Sequence, residues 1–193
     1  MSSGAVERDG SLDDALDRAR RGDEAGFLEL YRSWQPRLLR YLRIREGDAA
    51  DDLAAETWLQ VVRDLPRFAG DTDAFRRWLF TLARNRAIDA GRRDARAPVV
   101  LVEDVTTLYD APTAALDEQA LEAISTARAM AIVRSLPAAQ ADMVGLRVLA
   151  GLDVATVAEL VGRSPGAVRV AVHRALQALA HHPEIKDARE EAR

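Results

Sequence analysis

Phe75-Arg76-Arg77-Trp78-Leu79-Phe80-Thr81-Leu82-Ala83-Arg84-Asn85-Arg86-Ala87-Ile88-Asp89-Ala90-Gly91-Arg92-Arg93 decides how this chain is to be read. Apolar positions from Phe75 to Ala83 recur at helical spacing, so one side of a helix must be buried. At about 100° per residue, Arg77, Thr81, Arg84, Asn85 and Arg92 gather on another side. Guanidinium and amide groups are planar and present hydrogen-bonding edges that suit phosphates and base edges. Asp89 and the neighbouring Asp94 alone dilute the positive charge. A basic, amide-bearing face on an otherwise apolar helix points to nucleic acid. The plainer alternative, an amphipathic surface helix with solvated arginines, fits the same stretch taken alone.

The second half of the chain shifts that balance. Asp153 can cap a short helix over 154–161, with Val154, Val157, Ala158 and Val161 as its inward stripe. Gly162 follows where a left-handed residue is needed, and Ser164-Pro165 then starts another helix. Val168, Val172, Ala175, Leu176 and Leu179 form the expected inward face of that helix, leaving Gly166, Arg169, Val170, His173, Arg174 and Gln177 outward. A short helix, a glycine turn and a helix with a polar, basic outer face make a helix-turn-helix, whose second helix can enter a major groove. An ordinary antiparallel helix pair is the competing reading.

The chain has 193 residues, no cysteine, and a net charge of −4. Without cysteine there is neither a disulfide nor a thiolate metal site, and a cytoplasmic location is expected. No apolar run approaches the length of a membrane span, and no membrane partner is expected. The negative net charge argues against a simple nonspecific DNA binder, but the charge is unevenly placed. Arginine crowds 76–96, whereas 99–124 carries only acidic charge, and Asp48, Asp51, Asp52 and Glu56 form a second acidic group. Such a molecule needs DNA on one surface and a basic partner on another.

The reading is all-α: two small helical domains joined by a flexible acidic linker, the C-terminal one containing the helix-turn-helix. Residues 1–11 are expected to be a disordered N-terminus, 12–94 the first domain, 95–116 the linker, 117–180 the second domain and 181–193 a frayed tail. Within the first domain, helices are expected over 12–21, 24–43 (kinked or split at Pro36), 49–65 and through the basic stretch, with a loop over 66–73. Phe27, Leu28, Leu30, Tyr31, Trp34, Leu38, Leu39, Tyr41 and Leu42 are the expected inward face of the second helix. Helices over 117–135 and 138–149 precede the helix-turn-helix.

Three motifs in this order resemble bacterial RNA polymerase sigma factors of the extracytoplasmic-function (ECF) class. They are Ala50-Asp51-Asp52-Leu53-Ala54-Ala55-Glu56-Thr57-Trp58, the run from Phe68-Ala69-Gly70-Asp71-Thr72 through Trp78-Leu79 to Arg93, and Ser164-Pro165-Gly166-Ala167-Val168-Arg169 continuing to His173-Arg174. The resemblance covers about 12–180 and implies a factor that binds core RNA polymerase, recognises promoter −10 and −35 elements and helps to melt DNA. It implies polymerase-clamp contacts from Asp51, Asp52, Leu53, Glu56, Thr57 and Trp58. On the same basis Phe68, Asp71, Thr72, Arg77, Thr81, Arg84, Asn85, Arg92 and Arg93 would meet the −10 DNA, with an unstacked base captured by the loop. Arg163, Ser164, Gly166, Arg169, Val170, His173 and Arg174 would meet the −35 DNA. Members of the class are often held inactive by an anti-sigma protein, which the resemblance implies as a further partner.

Two positions depart from the family pattern. Ala55 stands where glutamine is common, removing one polar clamp contact, and Val170-Ala171 replace a frequent polar-basic pair. Val170 can meet a thymine methyl instead. Asp51, Asp52 and Glu56 lack the further carboxylate or histidine a metal site needs, and His181-His182 lie in the tail, so no metal or cofactor is expected. No glycine-rich phosphate loop or nucleophile elbow is present, so no enzymatic activity is expected. The rival to the sigma reading is a one-component helix-turn-helix regulator, which has no need of a second basic face beside a glycine loop.

Overall fold

The computed structural model describes residues 3–94 and 130–181, with side chains described from Leu12 to Arg93, from Met130 to Leu179 and at His181. All regular elements among the described residues are helical. They are α1 (Ser3–Arg20), α2 (Glu24–Glu46), α3 (Ala50–Asp64), α4 (Thr72–Asp94), α5 (Ala138–Val144), α6 (Val154–Val161) and α7 (Pro165–Ala180). The linker over 95–116, most of the helix expected over 117–135 and the tail beyond His181 lie outside the described residues; 130–134 are helical.

The first domain follows its apolar periodicity. Leu30, Trp34, Leu38, Tyr41 and Leu42 on α2 pack with Leu53, Ala54, Trp58 and Val61 on α3 and with Phe75, Leu79, Phe80 and Ala83 on α4. Leu16 and Ala19 of α1 close this core. Helix α1 begins at Ser3, so most of the stretch expected to be a disordered N-terminus is helical backbone. Helix α2 runs through Pro36 without splitting, because Pro36 faces solvent and Leu38, Tyr41 and Leu42 beyond it still reach the core. Leu28 is 43% exposed rather than inward. The loop before α4 is shorter than expected, since Leu65–Arg67 form a 3-10 turn and α4 starts at Thr72.

The second domain keeps its expected punctuation. Asp153 accepts the Thr156 amide at 2.9 Å, Gly162 adopts φ 65° and ψ 39°, and Ser164 accepts the Ala167 amide at 3.2 Å with Pro165 in the first helical turn. Helix α5 passes into a π-helical turn, Gly145–Leu149. Val168 and Ala175 are buried and Val172 half-buried, but Leu176 is 44% exposed, so the inward stripe of α7 is narrower than its spacing suggests.

The two domains are not separate bodies here. Met143, Leu146, Val157, Ala158 and Val168 belong to the same continuous apolar core as Tyr41, Phe80 and Ala87. Helix α5 and its π-turn lie against α2.

Candidate nucleic-acid and partner interfaces

Helix α4 sorts its arginines into two groups. Arg76 pairs with Asp73 at 2.7 Å, and Arg86 reaches across to α3, donating to Glu56 at 2.8 Å and Gln60 at 2.7 Å. Those two guanidinium groups are spent inside the domain. Arg77, Asn85, Arg92 and Arg93 are exposed, and Thr81 is half-buried with its hydroxyl donated to the Arg77 carbonyl at 2.7 Å. Arg84 is engaged: its Nε donates to Asp142 of the second domain at 3.0 Å.

The loop before α4 is built as a stiff platform. Phe68 stacks on Trp78 with ring centres 4.9 Å apart at 20°, and meets Phe75 edge-on at 5.9 Å. The Arg20 guanidinium lies 5.2 Å from the centre of the Phe68 ring and also donates to the Gly70 carbonyl. Gly70 has φ 142°, and a Cβ there would stand 2.6 Å from the Ala74 Cβ, so the turn into α4 needs glycine. Asp71 caps α4 by accepting the Ala74 amide at 2.8 Å. Asp13 of α1 accepts both the Thr72 amide at 2.8 Å and the Thr72 hydroxyl at 2.5 Å. These hydrogen bonds hold the Asp13 carboxyl below its ordinary pKa of 3.8 against the opposing effect of burial. Thr72 is therefore 4% exposed with its hydroxyl occupied, and is not offered to DNA. Phe68 is half-buried as the floor of the loop rather than a free ring.

Helix α3 divides in the same way. Leu53, Thr57 and Trp58 are buried, the Thr57 hydroxyl donating to the Leu53 carbonyl at 2.7 Å and the Trp58 indole to Gln35 at 2.6 Å. These three support the helix and are removed from the outer face assigned to them. Asp51, Asp52 and Glu56 are exposed, and the same face continues through Leu59 (67% exposed) and Val62 (54% exposed). Beside it, Ala19, Phe27, Leu28, Val62, Leu65 and Pro66 line a groove of about 440 Å³. On α7 and the turn before it, Arg163, Ser164, Gly166, Arg169, Val170, His173 and Arg174 are all exposed.

Residues 30–97 match the family described as Sigma-70 region 2, and residues 126–179 match Sigma-70, region 4. The relative named ECF RNA polymerase sigma factor SigD, from Mycobacterium tuberculosis, is 34% identical over 174 residues, which are 87% of this chain and 82% of its own length. The chain belongs to the ECF RNA polymerase sigma factors. ECF RNA polymerase sigma factor ShbA from Streptomyces griseus is likewise 34% identical, over 84% of this chain and 90% of its own length. The solved structure of CnrH in complex with the cytosolic domain of CnrY shares the fold, with a TM-score of 0.58, 20% identity and coverage of 92% of this chain and 98% of that one. The sigma factor thus binds core RNA polymerase, recognises promoter elements and promotes DNA melting, and the one-component regulator is set aside. No helix among the described residues is long and apolar enough to cross a membrane.

Sequence reading missed several residues that shape the sigma factor's surfaces. Leu59 and Val62 carry a legible signal, because they continue the stripe from Asp52 and Glu56 at three- and four-residue steps. Asp13, Arg20 and Asp142 carry none, since each acts on a partner distant in sequence: Asp13 on Thr72, Arg20 on Phe68 and Gly70, Asp142 on Tyr41, Arg45 and Arg84.

Proposed function

We propose that the exposed face of α4, with the loop before it, reads and melts the −10 element, and that the outer face of α7 reads the −35 element. One observation carries the first assignment: Arg77, Asn85, Arg92 and Arg93 stand exposed, Arg92 only in a long 3.6 Å surface pair with Asp89 of its own helix, while Arg86 is drawn across to Glu56 on α3. Fixed hydrogen-bonding groups beside a rigid loop give an unstacked base somewhere to go, which offsets part of the few kcal/mol that unstacking costs. Asp71 adds an exposed carboxylate at the loop, although one oxygen already caps α4. Arg92 and Arg93, at the end of α4, suit phosphates.

The polymerase contact is assigned to the outer face of α3, with Asp51, Asp52 and Glu56 meeting a basic surface and Leu59 and Val62 adding apolar area. On α7, Arg169 is placed to read a base edge, Val170 a thymine methyl, and Arg163, His173 and Arg174 the backbone and its neighbours. Ser164 and Gly166 let the helix N-terminus approach a phosphate. The relative RpoE of Bartonella quintana is solved in complex with the anti-sigma factor NepR. A partner of that kind covering α3 or α4 would compete with polymerase or promoter here.

The test is permanganate footprinting of promoter complexes. Asn85→Ala should leave core binding near normal while reducing reactivity of the −10 thymines. Wild-type reactivity in that variant would remove Asn85 and its face from the melting assignment.

A further inference from the structure

Asp13, Asp17 and Arg20 of α1 recur at four- and three-residue steps, so they share one side of that helix over about 10 Å. Leu16 and Ala19 beside them are buried in the core and fix the helix in place. At one end of the row, Asp13 accepts the Thr72 amide and hydroxyl where α4 begins. At the other, the Arg20 guanidinium is divided among separate contacts. Its Nη1 donates to Asp17 at 2.9 Å, its Nη2 donates to the Gly70 carbonyl, and its central carbon lies 5.2 Å from the centre of the Phe68 ring. The Arg20 side chain is 22% exposed against 59% for Asp17, so the carboxylate acts as the outer anchor that aims the guanidinium inward.

Between these two ties, Ala69, Gly70 and Asp71 are exposed. The ring and the carbonyl that Arg20 holds belong to one turn, since the Gly70 Cβ position is 3.3 Å from Phe68 Cζ. A short exposed stretch containing glycine has much backbone freedom to lose when it closes on a base. Fixing its carbonyl and its aromatic floor beforehand removes that cost from the capture step. A loop held in one shape also discriminates, because it cannot adjust to a base of the wrong outline. A pair between Asp17 and Arg20 alone, on the surface of one helix, would contribute little. The reach to Gly70, 50 positions away, gives the arrangement its consequence.

We infer that Arg20, aimed by Asp17, is a positioning residue for base capture: it sets the turn through Gly70 so that the loop admits one unstacked base in preference to the others. The inference rests on the reading of this loop and α4 as the −10 face. Arg20 touches no DNA in this role and acts through Gly70 and Phe68.

The experiment uses the full chain with core enzyme, on the promoter of a start site mapped after overexpression. 2-Aminopurine placed in turn at each −10 position finds the base that leaves the stack, and templates carrying each of the four bases there are then compared for open-complex yield. Arg20→Met should lower the yield on the preferred base about tenfold and leave the other three within about twofold of wild type, flattening the preference. Asp17→Asn should flatten it less. Arg20→Lys keeps the charge without the planar fork and should recover only part of the preference. Core binding should stay within about twofold for all three variants. A merely structural role would lower all four templates by the same factor. Should Arg20→Met lose its helical circular dichroism, Asp17→Asn and Arg20→Lys decide the matter. Parallel losses on the four templates, or a preference unchanged in the folded variants, overturn the inference. Asn85→Ala and Asp71→Ala separate it from the −10 reading: wild-type melting and preference in both sink the −10 face itself, whereas an effect there with none from Arg20 and Asp17 sinks the positioning role alone.

Discussion

Replacing Asp13 with alanine should loosen the loop before α4 from a position outside it. The Asp13 carboxylate takes two donors from Thr72, at 2.8 Å and 2.5 Å, and Thr72 is 4% exposed, so neither donor rehydrates without the helix start moving. Hydrogen bonds to a charged group contribute about 1.5–3 kcal/mol, and a buried donor left unpaired costs about 1–3 kcal/mol. Asp13 itself faces solvent, which places the loss toward the low end, about 2 kcal/mol in total. That is about thirtyfold in the folding equilibrium, or about 4–8 °C in Tm for a chain of this size. Adding Thr72→Val removes the stranded hydroxyl, and the double variant should recover about 1 kcal/mol relative to the sum of the single losses. The pH dependence has a definite sign. The folded pKa of Asp13 lies below its ordinary 3.8, chiefly through the Thr72 hydroxyl and amide, so its contribution is complete at neutral pH. It fades as pH falls below 3.8 through the folded value, where wild type and Asp13→Ala should converge. Urea unfolding across pH measures all of this, and permanganate footprinting should show weaker melting with core binding retained. Equal neutral-pH stability of wild type and Asp13→Ala would refute the argument.

Asp52→Arg places a cation on the acidic face of α3 and should reduce co-purification with core enzyme by several kcal/mol of lost interaction, about a hundredfold or more; retention at wild-type levels would move the docking face elsewhere. Leu59→Ser with Val62→Ser, both exposed, should weaken the same binding while leaving Tm within about 1 °C. On α7, Arg169→Ala should relax preference at one −35 position by about 1–3 kcal/mol, whereas Arg174→Ala should weaken specific and scrambled sites alike. Gel-shift titration on both DNAs tests the division, and equal losses for both variants would overturn it.

Local chemistry made much of the fold readable in the sequence. The caps at Asp153 and Ser164 and the left-handed Gly162 act within three or four residues, and each stands where its residue type suggests. The basic helix was readable too, but not which arginines are free, because Arg86 is taken by Glu56 and Gln60 across an interhelical contact. The family resemblance puts Leu53 and Trp58 in a polymerase-contact motif without revealing that they point inward, since a family motif mixes surface residues with those that hold the surface in place. The burial of Thr72 is hidden for a nonlocal reason: its partner Asp13 lies on another helix. The same limit hid the contact between domains, where Asp142 meets side chains 58 and 101 positions away.

The central claim is that this chain, with core polymerase and no other initiation factor, starts transcription at promoters chosen by α4 and α7. Run-off transcription reconstituted from purified core enzyme and the full chain, on a template bearing a start site mapped after overexpression, tests it most directly. The account predicts a discrete transcript that requires the chain, disappears when either the −10 or the −35 element is scrambled, and weakens with Asn85→Ala. A transcript of equal yield on scrambled templates, or none with intact core enzyme and intact promoter, would contradict it.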